Sequence, residues 1–257
     1  TLAKKEKEFL LKEIDNRSNE MVDLLSDLVM IPSVTGDEGK IQRYIAKFLN
    51  EMGLEVDVWE SDWEELKKHP EYVSVTRGYD GRPNVVAVLK GTGGGKSLLL
   101  NGHTDTVPNG PLDSWQFDPL SAEISNGRLY GRGSSDMKSG VAAIIMAVKS
   151  IVESGSKLKG DVILDFVVDE ELSGHGTLDT ILRGYTADAG ICCETSGNAI
   201  QPACIGRIWF EILVRGKAAG IQRRYEGVNA IDLGYKIVNA VSELEQKRLK
   251  TVKHPLY

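Results

Sequence analysis

The sequence predicts an α/β fold, a mostly parallel or mixed sheet with helices packed on it, and three observations predict it. Short apolar runs alternate along the chain with stretches of helical periodicity, the pattern that layers helices on a sheet. Several apolar runs end in polar clusters: "LLLNGHTDTVP" delivers His103, Thr104 and Asp105, "VILDFVVDEE" ends in Glu170 and Glu171, and "AGICCE" ends in Glu194. The carboxyl ends of strands are where open α/β sheets place their chemistry. The composition supplies the third: 257 residues, 41% of them hydrophobic, can bury a sizeable core in one or two domains.

Taken in order, residues 4–30 read as one helix, with Leu10, Ile14, Met21, Leu24, Leu25 and Leu28 recurring among charges and Pro32 stopping it. "DEGKIQRYIAKFLNEMG" is a second amphipathic helix, carrying Ile41, Ile45, Phe48 and Leu49 on one face and ending at Gly53. "LEVDVWE" alternates as a strand does. "RPNVVAVLKG" and "KSLLLNG" are two further strands separated by "GTGGG". Gly91, Gly95 and Lys96 formally match a phosphate-binding loop, but a strand rather than a helix follows, so the glycines are read as a hairpin turn. "DMKSGVAAIIMAVKSIVESG" is a long helix, small and apolar nearly all round its first half, hence buried. "GDVILDFVVDEE" has the composition of a central strand, "GTLDTILRGY" is a short helix, and "ADAGICCE" is another strand.

The character changes near Arg207. "GRIWFEILVRGKAAG" reads as a half-exposed strand with Ile208, Phe210, Ile212 and Val214 on one side. A helix follows with Ile231, Ile237, Val238, Val241 and Leu244 as its stripe. One strand and one helix cannot bury a core, so residues 1–206 are expected to form the main domain and 207–257 to open a smaller one.

Bulk properties exclude several classes. The net charge of −6 argues against a general nucleic-acid surface. No apolar run reaches the roughly 18 residues that span a bilayer, and the charged start of the chain has no apolar signal-peptide core. Cys192, Cys193 and Cys204 are an odd number and form no disulfide framework, which favours a reducing, cytoplasmic setting. Adjacent Cys192 and Cys193 are read as small residues ending a buried strand, not as a metal pair.

One imidazole and several carboxylates at the tips of different apolar segments make a ligand set for divalent metal. His103 offers a ring nitrogen, and Asp105 suits the role of fixing its tautomer from behind. Asp136, in "LYGRGSSDMKSG", offers two oxygens and can bridge two ions, which Glu171 and Glu194 would each cap. Glu170 is left to take a proton from water and hand it to a leaving group. His175, flanked by glycines, is read as a turn residue or substrate contact, and neither His69 nor His254 is assigned a metal.

These motifs resemble the M20 metallopeptidase and amidohydrolase family, in the branch of acetylornithine deacetylase and succinyl-diaminopimelate desuccinylase. The matching stretches are "NGHTDTVP", "WQFDPLSAEISNGRLYGRGSSDMKSG", "DEELSGHGT", "ETSG" and "GVNAI". The resemblance implies a three-layer α/β/α catalytic domain of the zinc-dependent exopeptidase type, followed by the start of a smaller α+β lid and dimerisation domain. It implies two Zn2+ ions, or Co2+, held by His103, Asp136, Glu171 and Glu194, with Asp136 bridging, Asp105 supporting His103 and Glu170 as general base. A glutamate at position 194, rather than an aspartate, resembles the deacylases and carboxypeptidase-like members more than the di- and tripeptidases. The implied activity is hydrolysis of the amide bond of an N-acyl amino acid or short peptide, in a cytoplasmic homodimer with no nucleic-acid or membrane partner. A dipeptidase or carboxypeptidase, and a non-catalytic scaffold, are the alternatives.

Two departures stand out. Members carry a further metal-binding histidine after the lid domain, and this chain, which matches roughly the first two-thirds of a member, ends before one. Members also tend to carry a lid histidine after "GKAA", where this sequence has Gly220; either that contact is lost or residues are missing there. Arg207, Arg215, Arg223 and Arg224 give the second segment a local positive character suited to a substrate carboxylate, or equally to plain solvation.

Overall fold

The computed structural model describes residues 4–206, 208, 210–253 and 255. They divide into two compact units, Thr1–Asn198 and Ala199–Tyr257.

The first unit is an α/β domain. Its sheet is built from β1 (Glu55–Glu60), β2 (Pro83–Leu89), β3 (Leu98–His103), β6 (Val162–Val167) and β7 (Ala189–Cys192), in the order β1-β2-β6-β3-β7. The sheet is mixed: β1 and β2 run antiparallel to their neighbours, while β6, β3 and β7 run parallel. Strand alternation sends Leu164 and Phe166 to one face, into a core with α2 (Ser18–Met30), α3 (Gly39–Glu51) and α5 (Lys138–Glu153). Asp165 points to the other face, where Thr180 of α6 (His175–Leu182) donates to it at 3.0 Å. The layers are therefore helix, sheet, helix. Two smaller pieces complete the unit, α4 (Trp63–Leu66) and a hairpin of β4 (Glu123–Ser125) and β5 (Arg128–Tyr130). The hairpin turns on Asn126 and Gly127, both at positive φ. An Asn-Gly pair is a strong local signal for such a turn, although it was not among the strands expected from the sequence.

Three expectations are corrected. Residues 4–30 form two helices, α1 (Lys4–Asn16) and α2, because the chain turns at Arg17, whose N–H bonds back three residues to the Ile14 carbonyl at 3.1 Å. Asp15, Asn16 and Ser18 beside it compete for backbone hydrogen bonds and weaken a continuous helix. The "GTGGG" segment is not a hairpin turn, since β6 lies between β2 and β3. Its glycines pack on the turn before β6: Gly93 N–H donates to the Lys159 carbonyl at 2.9 Å, and a Cβ on Gly95 would stand 2.5 Å from the Gly160 nitrogen.

The third correction lies in the second unit. None of the described residues among 207–216 is in a strand, and Lys217 forms only an isolated bridge to Val228. Ile208, Phe210 and Leu213 are exposed, and without a neighbouring strand the alternating pattern has no ladder to join. The helix α7 (Ala230–Thr251) is present, capped by the Asn229 side chain, and its residues Ile231, Val238, Val241 and Leu244 are exposed. No helix among the described residues is long and apolar enough to cross a membrane.

Candidate metal centre

The three parallel strands β6, β3 and β7 finish along the same edge of the sheet, with His103 opposite Val167 and Asn101 opposite Cys192. Each strand hands its next residues to that edge: His103 and Asp105 from β3, Glu170 and Glu171 from β6, Glu194 from β7. Asp136 joins them from the loop that leads into α5. A Cβ on Gly140, in the first turn of α5, would stand 2.1 Å from the Cys193 carbonyl, so only glycine lets this helix approach the end of β7 so closely.

His103 is the centre of the cluster and is buried. Its Nε2 lies 3.1 Å from Asp136 Oδ1, 3.4 Å from Glu194 Oε1 and 3.7 Å from Glu170 Oε2. Two groups of ligand atoms share this imidazole, His103 with Asp136 and Glu171, and His103 with Glu170 and Glu194, each within 4.8 Å. Asp105 supports the ring in a way the sequence did not anticipate. Nδ1 is 2.9 Å from the main-chain carbonyl of Asp105 and 3.5 Å from its carboxylate. A carbonyl only accepts, so Nδ1 carries the proton and the Nε2 lone pair is left for a cation.

The charge around the ring is strongly negative and draws a cation to Nε2, a proton or a metal ion in its place. Burial works against a charged His103, but Asp105, Glu194 and Glu170 outweigh it and raise its pKa to about 10. Burial and repulsion from Asp136 and Glu170 push Glu171 and Glu194 up. Burial would raise Asp105 too, but the His103 ring, the Thr35 hydroxyl and the Glu171 N–H more than offset it and hold it below the usual range. Several carboxylates crowded on one ring nitrogen repel one another, and a divalent cation relieves that repulsion. A mixed nitrogen and oxygen donor set suits a divalent metal ion.

Behind Glu170 lies a second network, centred on the buried side chains of Arg82, Glu38, Tyr79, Asp169 and His175. Asp169 adopts a left-handed backbone, φ 66°, unusual for a non-glycine residue. Its carboxylate accepts from Arg82 at 2.8 Å, from Tyr79 at 3.2 Å and from Ser173. Arg82 also donates twice to Glu38, both at 2.7 Å. Burial disfavours the Arg82 charge, but Glu38 and Asp169 overcome this and raise its pKa. His175 belongs to this network rather than to a substrate surface: it is buried, stacked on Tyr72, with Nδ1 2.6 Å from the Tyr79 hydroxyl and Nε2 accepting from Val73 N–H at 3.1 Å. Sequence reasoning passed over Arg82, Glu38, Asp169 and Thr35. Glu38 lies 44 and Asp169 87 positions from Arg82, so no local pattern announced the pairing.

The remaining candidates are dispersed. His69 lies in the segment after α4, where its Nδ1 accepts from Glu71 N–H at 3.2 Å. Cys192 and Cys193 take part in neither ligand group, and both are free thiols. Arg215, Arg223 and Arg224 are exposed in the second unit, while Arg207 and His254 lie outside the described residues.

Comparison with known proteins gives a consistent result. The sequence model of peptidase family M20/M25/M40 matches residues 99–246. An N-formyl-4-amino-5-aminomethyl-2-methylpyrimidine deformylase from Bacillus subtilis (strain 168) is 35% identical, over 92% of this chain and 55% of its own. A succinyl-diaminopimelate desuccinylase from Polynucleobacter necessarius subsp. necessarius (strain STIR1) is 31% identical, over 86% of this chain and 57% of its own. The chain thus spans little more than half the length of these curated relatives. Among solved structures, a tripeptidase from Staphylococcus aureus subsp. aureus Mu50 superposes with a TM-score of 0.58 at 23% identity, covering 85% of this chain and 55% of that one. An M20 family metallo-carboxypeptidase from Sulfolobus solfataricus superposes with a TM-score of 0.55 at 25% identity, covering 67% of this chain and 37% of that one.

Proposed function

Because the chain belongs to peptidase family M20/M25/M40, we propose that the full-length protein is a two-metal hydrolase that cleaves the amide bond of a small N-acylated amine, foremost an N-acyl amino acid. The observation that carries this is the convergence of Asp136, Glu170, Glu171 and Glu194 on His103 at the ends of parallel strands. His103, Asp136, Glu171 and Glu194 would hold the ions. Bound ions supply a nucleophilic water at neutral pH and draw negative charge from the amide carbonyl oxygen. Glu170, with 44% of its side chain exposed, is open to substrate and takes the proton of the attacking water. As the carbon–nitrogen bond breaks, Glu170 returns that proton to the departing amine. Asp105 keeps the His103 ring in the tautomer whose Nε2 faces the ligand cluster.

Which amine departs is a matter of substrate recognition. Arg215, Arg223 and Arg224 favour an amino acid, whose carboxylate a guanidinium holds through two hydrogen bonds. The 35% identity to the Bacillus deformylase favours a second reading, an N-formyl group on an aminomethylpyrimidine. A panel of N-acetyl, N-succinyl and N-formyl amino acids, the N-formyl aminomethylpyrimidine and dipeptides, assayed with Zn2+ or Co2+, separates them. The amino-acid reading expects the free acids to be cleaved much faster than their methyl esters. Equal rates remove the arginine argument, and hydrolysis confined to dipeptides sinks the N-acyl reading.

The free cysteines favour a reducing, cytoplasmic setting. The exposed apolar residues of α7 support a homodimer formed through the second unit. Light scattering of the full-length protein is expected to give twice the monomer mass, and a monomer at working concentration counts against the dimer.

A further inference from the structure

The segment between α2 and α3 runs beside the residues that follow β3. Ser33 Oγ donates to the Thr104 carbonyl at 2.7 Å, Thr106 N–H to the Ser33 carbonyl at 2.9 Å, and Thr35 N–H to the Thr106 carbonyl at 3.1 Å. Val34 and Thr106 form a parallel bridge, so residues 33–35 act as a short added strand against 104–106. At its end the Thr35 hydroxyl donates to Asp105 Oδ2 at 2.8 Å. The same oxygen accepts Glu171 N–H at 3.2 Å, while Oδ1 accepts Glu170 N–H at 3.1 Å and lies 3.5 Å from His103 Nδ1. A carboxylate offers about four lone-pair directions, and here three hydrogen-bond donors take them, with the His103 ring beside the fourth. Asp105 is fully buried, so water cannot substitute for a missing donor without rearrangement.

We propose that Thr35 is a positioning residue for the metal centre: its hydroxyl fixes the Asp105 carboxylate in the one orientation that keeps His103 and the Glu170–Glu171 turn in mutual register. This deepens the two-metal reading above and rests on it. The geometry separates two jobs within one residue. The Thr35 backbone pairs with Thr106 and holds the loop, whatever the side chain, while the hydroxyl alone reaches Asp105. Without it, Oδ2 keeps a single donor and the carboxylate is free to turn about its Cβ–Cγ bond. The two glutamate N–H groups and the imidazole then lose their common reference. Thr35 lies 70 positions from Asp105, so the role arises only from the fold.

Thr35→Val keeps the shape of the side chain and removes the hydroxyl, and Thr35→Ser keeps the hydroxyl. In the full-length protein, Co2+ affinity measured by visible absorption is expected to fall about 10–100-fold in Thr35→Val, the range for loss of a group that orients a ligand, and to stay near the parent value in Thr35→Ser. Amide exchange at Glu170 and Glu171, followed by NMR in the ion-free protein, is expected to accelerate in the valine variant alone. If the valine variant does not fold, Thr35→Ala takes its place. Unchanged Co2+ affinity and exchange in the hydroxyl-free variant overturn the proposal, as does an equal loss in Thr35→Ser. Neither readout needs turnover, so they remain decisive for Thr35 even if the substrate panel rejects the hydrolase reading.

Discussion

Replacing Glu170 by Gln in the full-length protein is expected to lower turnover by about 10²- to 10⁴-fold while leaving the fold and the bound metal in place. The carboxamide is nearly isosteric but cannot take a proton from water at neutral pH. The Glu170 main-chain N–H, which is what binds Asp105, is unaffected by the change. Metal stoichiometry and turnover should be measured on the same preparation. Turnover near the parent rate sinks the proposed role of base. Loss of metal moves Glu170 among the ligands, an outcome given weight by its place beside Glu194 in one of the two groups around His103. His103→Ala is the useful contrast, since it removes the imidazole common to both groups and is expected to cost metal and activity together.

The largest effect on stability is expected at Arg82. Arg82→Met leaves the Glu38 and Asp169 carboxylates buried with their guanidinium gone, and breaking a buried pair in this way costs about 3–5 kcal/mol. Urea unfolding at neutral pH measures it, and a loss below about 1 kcal/mol rejects the account. Most of the loss is the penalty of stranded charge, not the net worth of the ion pair. Adding Glu38→Gln and Asp169→Asn to Arg82→Met is therefore expected to recover much of the stability. Any fall in activity of the single variant should follow from the Asp169 turn, which sets the direction in which Glu170 leaves β6.

Much of the site is legible in the sequence. His103, Asp136, Glu170, Glu171 and Glu194 each follow an apolar or small-residue stretch, and local alternation is enough to place such residues at element ends. The layering of helices on a sheet is legible for the same reason. The hairpin at Asn126-Gly127 carries an equally local signal. The strand expected near Ile208 shows the limit of local pattern, because alternation licenses a strand only where another strand accepts its hydrogen bonds.

What the sequence by itself determined, then, is the set of elements and the chemical identity of the residues at their tips. Only the tertiary structure decided that β6 enters between β2 and β3, which makes β6, β3 and β7 parallel neighbours and brings their tips together. It also decided that the Asp105 main-chain carbonyl, not the carboxylate, is closest to the His103 ring. The pairing of Arg82 with Glu38 and Asp169, and the reach of Thr35 to Asp105, were decided there too. The physical reason is common to all of these. Strand order and buried polar pairing are set by which apolar faces pack against α2, α3, α5 and α6, and by where buried charges and donors find partners. Both involve residues far apart in the chain, so no window of sequence contains the information.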